Sequence, residues 1–168
     1  MDTQQQNNEH LKKVRELIDD IKIGMMTTVG SDGKLLSRPM ATMQVDEAGH
    51  LWFFTKKHSP KTEQIDNHQQ LVNVSYASVS DASYVSVAGH AEEVDDQAKI
   101  DELWSPIAKP WFPEGKEDPN LTLLKVEMDT VEYWDSTSSR MVRLVEMARA
   151  ILTGDTYKEG ENEKVVLH

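Results

Sequence analysis

The sequence contains no cysteine. That removes disulfide frameworks, thiolate-bound metals and every cysteine nucleophile from consideration. Long apolar runs are missing as well, whereas a membrane-spanning helix needs about 20 consecutive apolar residues, so no membrane partner is expected. Cations are scarce: 18 Lys and Arg stand against 29 Asp and Glu, a formal charge of −11. Over most of the surface such a balance repels a phosphate backbone, and nucleic acid is therefore not an expected partner. The opening MDTQQQNNEH has neither a basic leader nor a hydrophobic stretch, and the expectation is a cytoplasmic chain without a secretory signal. The histidines, His10, His50, His58, His68, His90 and His168, show no spacing of a metal pair, and there is no H-E-x-x-H. Gly30 to Gly33 matches neither a dinucleotide fingerprint nor a P-loop, and no nucleophile elbow is present. The carboxylate pairs Glu92-Glu93 and Asp95-Asp96 read as a solvated strand end and helix start.

What remains is a chain of 168 residues with room for one domain. The spacing predicts a flexible start over 1–8, a folded domain over 9–153 and a polar tail over 154–168. Leu11, Val14, Leu17, Ile18 and Ile21 recur at helical spacing, so Glu9 to Asp20 reads as an amphipathic helix. From Ile23 the period becomes that of strands. IGMMTTV, the turn Gly30-Ser31-Asp32-Gly33 and a run from Lys34 to Val45 make a hairpin. The turn Asp46 to Gly49 leads into Leu51 to Thr55, and strands follow at Val72 to Ser78, Tyr84 to Val94 and Leu121 to Trp134. Helices are expected from Asp95, as its cap, to Trp104 and from Ser138 to Leu152. Six strands joined by tight turns, with helices at the margins, predict a mainly β fold: a small antiparallel barrel.

In so acidic a chain an anion must be held by a local cluster of cations, and Lys56, Lys57, His58 and Lys61 form the most basic stretch. Ser59 suits an N-cap and Pro60 a first helical position, so a short helix starting there would present unpaired backbone N–H groups beside Lys61. A bound phosphate explains a lysine in that first turn; a solvated basic loop tip is the other reading. Arg38, in Ser37-Arg38-Pro39-Met40, lies on a strand that a proline marks as an edge or a bulge, and its guanidinium calls for an anionic partner, ligand or carboxylate. Trp104, Trp111, Phe112 and Trp134 could stack on a flat ligand or fill a core.

Taken in order, R-P-M in the second strand, F-F-T closing the third, S-P-K opening a short helix and E-Y-W-D at the last strand resemble the pyridoxamine 5′-phosphate oxidase-like split-barrel proteins that bind FMN. Leu103-Trp104, Trp111-Phe112-Pro113-Glu114-Gly115 and Asp118-Pro119 are similar to the general stress protein branch of that family. The likeness runs from about Leu11 to Gly154. It implies a six-stranded antiparallel split barrel and a homodimer with FMN at the subunit interface. Arg38 and Lys61 would hold the phosphate, with Ser59 and Thr55 hydrogen-bonding nearby. Arg38 to Met43, including Pro39 and Met40, together with Phe54 and Thr55 would line the ring and ribityl chain. Trp134 and Trp111 would come from the second subunit, and Tyr84 stands where the oxidase has a flavin-contacting glutamine.

Departures from the pattern bear on the substrate. Met43 replaces a substrate-phosphate lysine, no Arg-x-His follows Trp134, and Ser59-Pro60-Lys61 has one cation fewer than the oxidase's trio. Pyridoxamine phosphate is thus a poor substrate candidate. The resemblance leaves three functions: a flavin oxidoreductase fed by NAD(P)H or a small reduced substrate, a non-catalytic FMN-binding stress protein that stores or senses flavin, and a haem-handling relative with His90 as the nearest axial ligand.

Overall fold

The apolar stripe of the first segment forms helix α1 (Thr3–Ile21), which buries Val14, Leu17 and Ile18 against the sheet and rests Leu11 and Ile21 beside them. The structure is a computed structural model and describes residues 3–59, 71–135 and 161–166. Helical backbone begins at Thr3, ahead of the expected Glu9, because the periodicity marks only the packed turns while polar residues can extend a helix already formed. Lys22 ends it with φ 66°, its N–H donating to the Ile18 carbonyl at 2.7 Å, the left-handed closure usually given to glycine.

Among the described residues seven strands follow: β1 (Ile23–Val29), β2 (Leu35–Val45), β3 (His50–Lys56), β4 (Leu71–Ser78), β5 (Ser83–Val94), β6 (Leu121–Asp135) and β7 (Glu161–Val166). All pairings are antiparallel, in the order β3-β2-β1-β4-β5-β6-β7, and an added β3–β6 ladder closes the first six into a barrel. The expected mainly β, six-stranded antiparallel barrel is thus present, with flanking helices. The alternation IGMMTTV puts Gly24, Met26 and Thr28 inside and leaves Ile23 and Met25 exposed. Phe53, Leu51, Val74, Val87, Leu124 and Val126 fill the interior.

β6 serves two neighbours along one edge. Leu121 to Glu127 pairs with β3, and Thr130 to Asp135 with β7, while β5 runs along the other side. The polar tail therefore contains a strand the sequence reading did not anticipate, since ENEKVV shows little alternation of its own. Helix α2 (Gln97–Leu103) is capped by Asp96, whose side chain accepts from Lys99 N–H; the expected cap, Asp95, instead accepts from the Lys57 ammonium at 2.8 Å. α2 and the turns after it cover the outer side of β3, where Trp52, Ile100, Ala108, Phe112, Leu121 and Leu123 form a second small core. The expected helices beginning at Ser59 and at Ser138 lie outside the described residues. No described helix is long and apolar enough to cross a membrane.

Candidate functional site

β2 and β3 are neighbours only at one end. They pair through Thr42↔Phe53, Gln44↔Trp52 and Val45↔Leu51, with a bulge at Met43. Before Thr42, β2 pairs with β1 alone, and after Phe53, β3 pairs with β6 alone. The two strands therefore part, and each presents a backbone edge that no ladder satisfies. Pro39 lies on the parted stretch, where its missing N–H costs the sheet nothing.

A cleft of about 470 Å³ opens there, within the range typical of small-molecule sites. Pro39, Met40, Ala41 and Met43 line it from β2, Phe54, Thr55 and Lys56 from β3, and Ile23 from β1. Ile107, Ala108, Trp111 and Phe112 come from the segment after α2. That segment is anchored by Ala108 and Phe112 in the second core, and Phe54 packs edge-on to Phe112 with centroids 6.4 Å apart. Ile107 and Trp111 remain 74% and 63% exposed at the rim.

One buried side-chain polar atom of the described lining has no hydrogen-bond partner among the described residues. Thr55 is buried, and its Oγ1 makes no hydrogen bond among the described residues. A buried hydroxyl left unpaired costs about 1–3 kcal/mol, so it is the atom a ligand would satisfy. Lys56 is the only charged residue in the described lining, and it forms no ion pair among the described residues. The neighbouring Lys57 is engaged by Asp95.

Of the residues singled out from sequence, the structure brings Pro39, Met40, Met43, Phe54, Thr55 and Trp111 into this one cleft. Trp111 lines the cleft of its own chain, so its presence there does not call for a second subunit. Arg38 is not in the lining: it shares the inward face of β2 with Met40 and donates to Thr28 Oγ1 at 2.8 Å, and burial pushes its guanidinium pKa down. Ser59 follows the left-handed turn at His58, φ 52°, and Lys61 lies outside the described residues. Tyr84 and Trp134 are cross-strand partners on β5 and β6. Tyr84 pairs with Ala77, next to Tyr76, the partner of Gly24, so across the sheet Tyr84 stands two strands and Trp134 three strands from β1, whose Ile23 lines the cleft, and neither belongs to the described lining. His90 sits outside the lining, with Nδ1 2.7 Å from Asp129 Oδ2.

Sequence reasoning included Ala41 in the lining segment Arg38 to Met43 and named Phe112 as a stacking candidate, but it did not single out Ile23, Lys56, Ile107 and Ala108 as lining residues. The basic run carried a signal for Lys56. The others are supplied by a segment remote in sequence, or by strand faces whose ordinary reading is packing.

Comparison with known proteins agrees with this architecture. The family model described as pyridoxamine 5′-phosphate oxidase like matches residues 9–158. General stress protein 26 of Bacillus subtilis is 32% identical over 143 residues, covering 82% of this chain and 98% of that protein. A candidate general stress protein 26 from Jannaschia sp. CCS1 superposes with a TM-score of 0.79 at 27% identity, covering 95% of this chain and 99% of that one. The general stress FMN/FAD binding protein of Xanthomonas citri superposes with a TM-score of 0.66 at 30% identity, over 78% of this chain and 92% of its own. The chain therefore belongs to the pyridoxamine 5′-phosphate oxidase-like family, in its general stress protein branch.

Proposed function

We propose that this protein binds FMN in the split between β2 and β3 and acts as an FMN-dependent oxidoreductase of the cytoplasm, on a substrate other than pyridoxamine phosphate. The observation that carries the reading is the buried Thr55 hydroxyl, without a partner among the described residues, in a cleft whose other described lining residues are apolar except for Lys56. A flavin ring combines apolar faces with a rim of hydrogen-bonding nitrogen and oxygen atoms. Met40, Met43 and Phe54 suit the faces, while Thr55 Oγ1 and the unladdered edges of β2 and β3 suit the rim. The name of the Xanthomonas citri relative supports a flavin nucleotide here. In this reading Arg38, Ser59 and Lys61 serve the phosphate.

When bound, the flavin supplies the electron-transfer chemistry. The chain's own part is to hold the ring, orient it and keep water from one face, because the described lining contains no carboxylate, histidine or hydroxyl nucleophile poised beside a base. That same lack favours a second reading, a flavin-binding stress protein that stores or senses the cofactor without turnover.

The reading includes a homodimer with the cofactor at its interface. The outward positions of the adjacent strands β2, β1, β4 and β5 support it. Leu35, Ser37, Pro39 and Ala41; Ile23, Met25, Thr27 and Val29; Leu71, Asn73, Ser75 and Ala77; and Tyr84, Ser86 and Ala88 include no charge, and along this face charge returns only further up β5, at His90 and Glu92, although 28% of the chain is charged. An exposed face so depleted of charge is what a subunit contact requires. It also runs to the rim of the cleft at Ile23, Pro39 and Ala41, so a second copy seated on it would reach the cleft.

The test is colour followed by turnover. The purified protein is expected to be yellow, to take up FMN with measurable heat once stripped, and to be bleached by NADH or NADPH and restored by oxygen. Yellow protein inert to both nucleotides selects the storage or sensing reading, and a colourless protein giving no heat with FMN ends both.

A further inference from the structure

The rim of the cleft carries chemistry that holding the flavin does not use. Ile107 and Trp111 are among the most exposed large apolar side chains of the described residues, yet both border the cleft. Their segment is fixed at its buried side by Ala108 and Phe112, and Phe112 N–H donates to the Ala108 carbonyl at 3.2 Å. An indole displayed on an anchored turn presents a flat face without having to be ordered first. Across the same opening stands Lys56, the one charge in the described lining, with no ion pair among the described residues. Six described lysines, Lys13, Lys34, Lys57, Lys99, Lys116 and Lys125, pair with a carboxylate; Lys12, Lys22, Lys109 and Lys164, like Lys56, form no ion pair among the described residues, but of these five only Lys56 borders the cleft. In a chain of charge −11, the ammonium at this opening is a selective feature.

We propose that Lys56 and Trp111 form a second ligand subsite at the mouth of the cleft, selective for a small planar monoanion: an aromatic ring bearing a carboxylate. The inference rests on the flavin reading for its consequence, since a ring seated there would face the site proposed for the cofactor. Trp111 with Ile107 supplies the stacking surface, and Lys56 the counter-charge. A single ammonium matches one negative charge. A phosphate dianion would call for a second cation, and the described lining contains none. Lys56 is therefore assigned to substrate selection, apart from the cofactor phosphate.

The experiment uses the purified full chain, with 2-naphthoate and its uncharged counterpart 2-naphthamide as probes, read by quenching of tryptophan fluorescence and by any perturbation of the flavin absorbance. Flavin content is measured separately from the absorbance of each preparation. The wild type is expected to bind naphthoate more tightly than naphthamide. Lys56→Gln should weaken naphthoate by about three- to fivefold, the scale of an exposed ion pair, and leave naphthamide and flavin content unchanged. Trp111→Ala should weaken both probes, by up to about tenfold. Equal affinity for the two probes in the wild type, or a Lys56→Gln variant that keeps naphthoate binding, overturns the proposal. So does loss of flavin from Lys56→Gln, which would give the lysine to the cofactor. A wild type without flavin that still prefers naphthoate sinks the flavin reading and leaves the subsite standing, so the two failures are distinguishable.

Discussion

Replacing Thr55 by valine should change stability and ligand affinity in opposite directions. Thr55 is 3% exposed and its Oγ1 has no partner among the described residues, so in the ligand-free protein the hydroxyl has lost its hydrogen bonds to water and gained none in return. That deficit is about 1–3 kcal/mol. Valine keeps the β-branch, which suits a strand, and exchanges the hydroxyl for a methyl of similar shape. The flavin-free variant should therefore be more stable by about 1 kcal/mol at the lower end of that range, a rise in Tm of about 2–4 °C for a chain of this size. With FMN bound, the wild-type hydroxyl would be satisfied, and its net hydrogen bond is worth about 0.5–1.5 kcal/mol. Affinity in the variant should fall roughly two- to tenfold.

Urea unfolding of both flavin-free proteins, with the slope m checked for equality, gives the first quantity. Calorimetric titration with FMN gives the second. As ligand is added, the variant's stability advantage should shrink and then reverse, because the better binder gains more from mass action. A flavin-free valine variant less stable than wild type would mean the hydroxyl is satisfied in solution. An unchanged affinity would mean the ligand does not meet Thr55. Either result breaks the argument on which the cleft assignment stands.

Other expectations concern the frame that carries the site. A Cβ built on Gly89 meets the Glu127 carbonyl oxygen at 2.1 Å, where the β5–β6 register shifts, so Gly89→Ala should cost at least about 2 kcal/mol, seen as a lowered urea midpoint. Lys22 closes α1 at φ 66°, a conformation that costs a side chain about 1 kcal/mol, and Lys22→Gly should raise the Tm by about 2–4 °C. Burial works against ionisation of Asp46, but hydrogen bonds from Trp52 Nε1, the His50 N–H and the His50 ring outweigh it, holding the carboxyl below its ordinary 3.8. Its contribution to stability is therefore fully present above about pH 4 and is lost as pH falls through the lower native value. Asp46→Asn should lower the neutral-pH urea midpoint and flatten the acid limb; an acid limb identical to wild type would refute the assignment.

Much of the barrel is legible in the sequence because each antiparallel strand with one wet face must alternate. IGMMTTV, and the run from Tyr84 to Val94, keep this rule, and the turns at Gly33 and Gly49 carry the positive φ that glycine permits. The same logic hides β7. Its pairing with β6 depends on an edge left free once β3 has ended, a property of the assembled sheet that no local pattern encodes. Proline and the basic run drew attention to Pro39 and Lys56, but their meeting requires the ladder to stop at Thr42↔Phe53. The Ile107 to Phe112 wall was out of reach for another reason: its placement follows from burying Ala108 and Phe112 on Trp52 and Leu123, a contact between segments distant in sequence.

This difference explains why the residues that line the cleft were found more readily than their roles. Residue type is local, so a methionine, a threonine and a tryptophan in a familiar order can be marked before any geometry is known. Function at this site comes from where the ladder fails. Were β2 and β3 paired to their ends, Thr55 would face a neighbouring strand, Pro39 would interrupt a continuous ladder, and the α2 segment would cover a closed wall instead of an opening. The bulge at Met43 is the element that turns β2 away from β3, consistent with the tendency of bulges to bend strands and end pairing beside functional sites. The site is thus built by withholding backbone hydrogen bonds from two adjacent strands and leaving one buried hydroxyl without a partner among the described residues. A ligand that supplies those bonds joins the sheet as well as the cleft, which ties affinity for it to the integrity of the barrel.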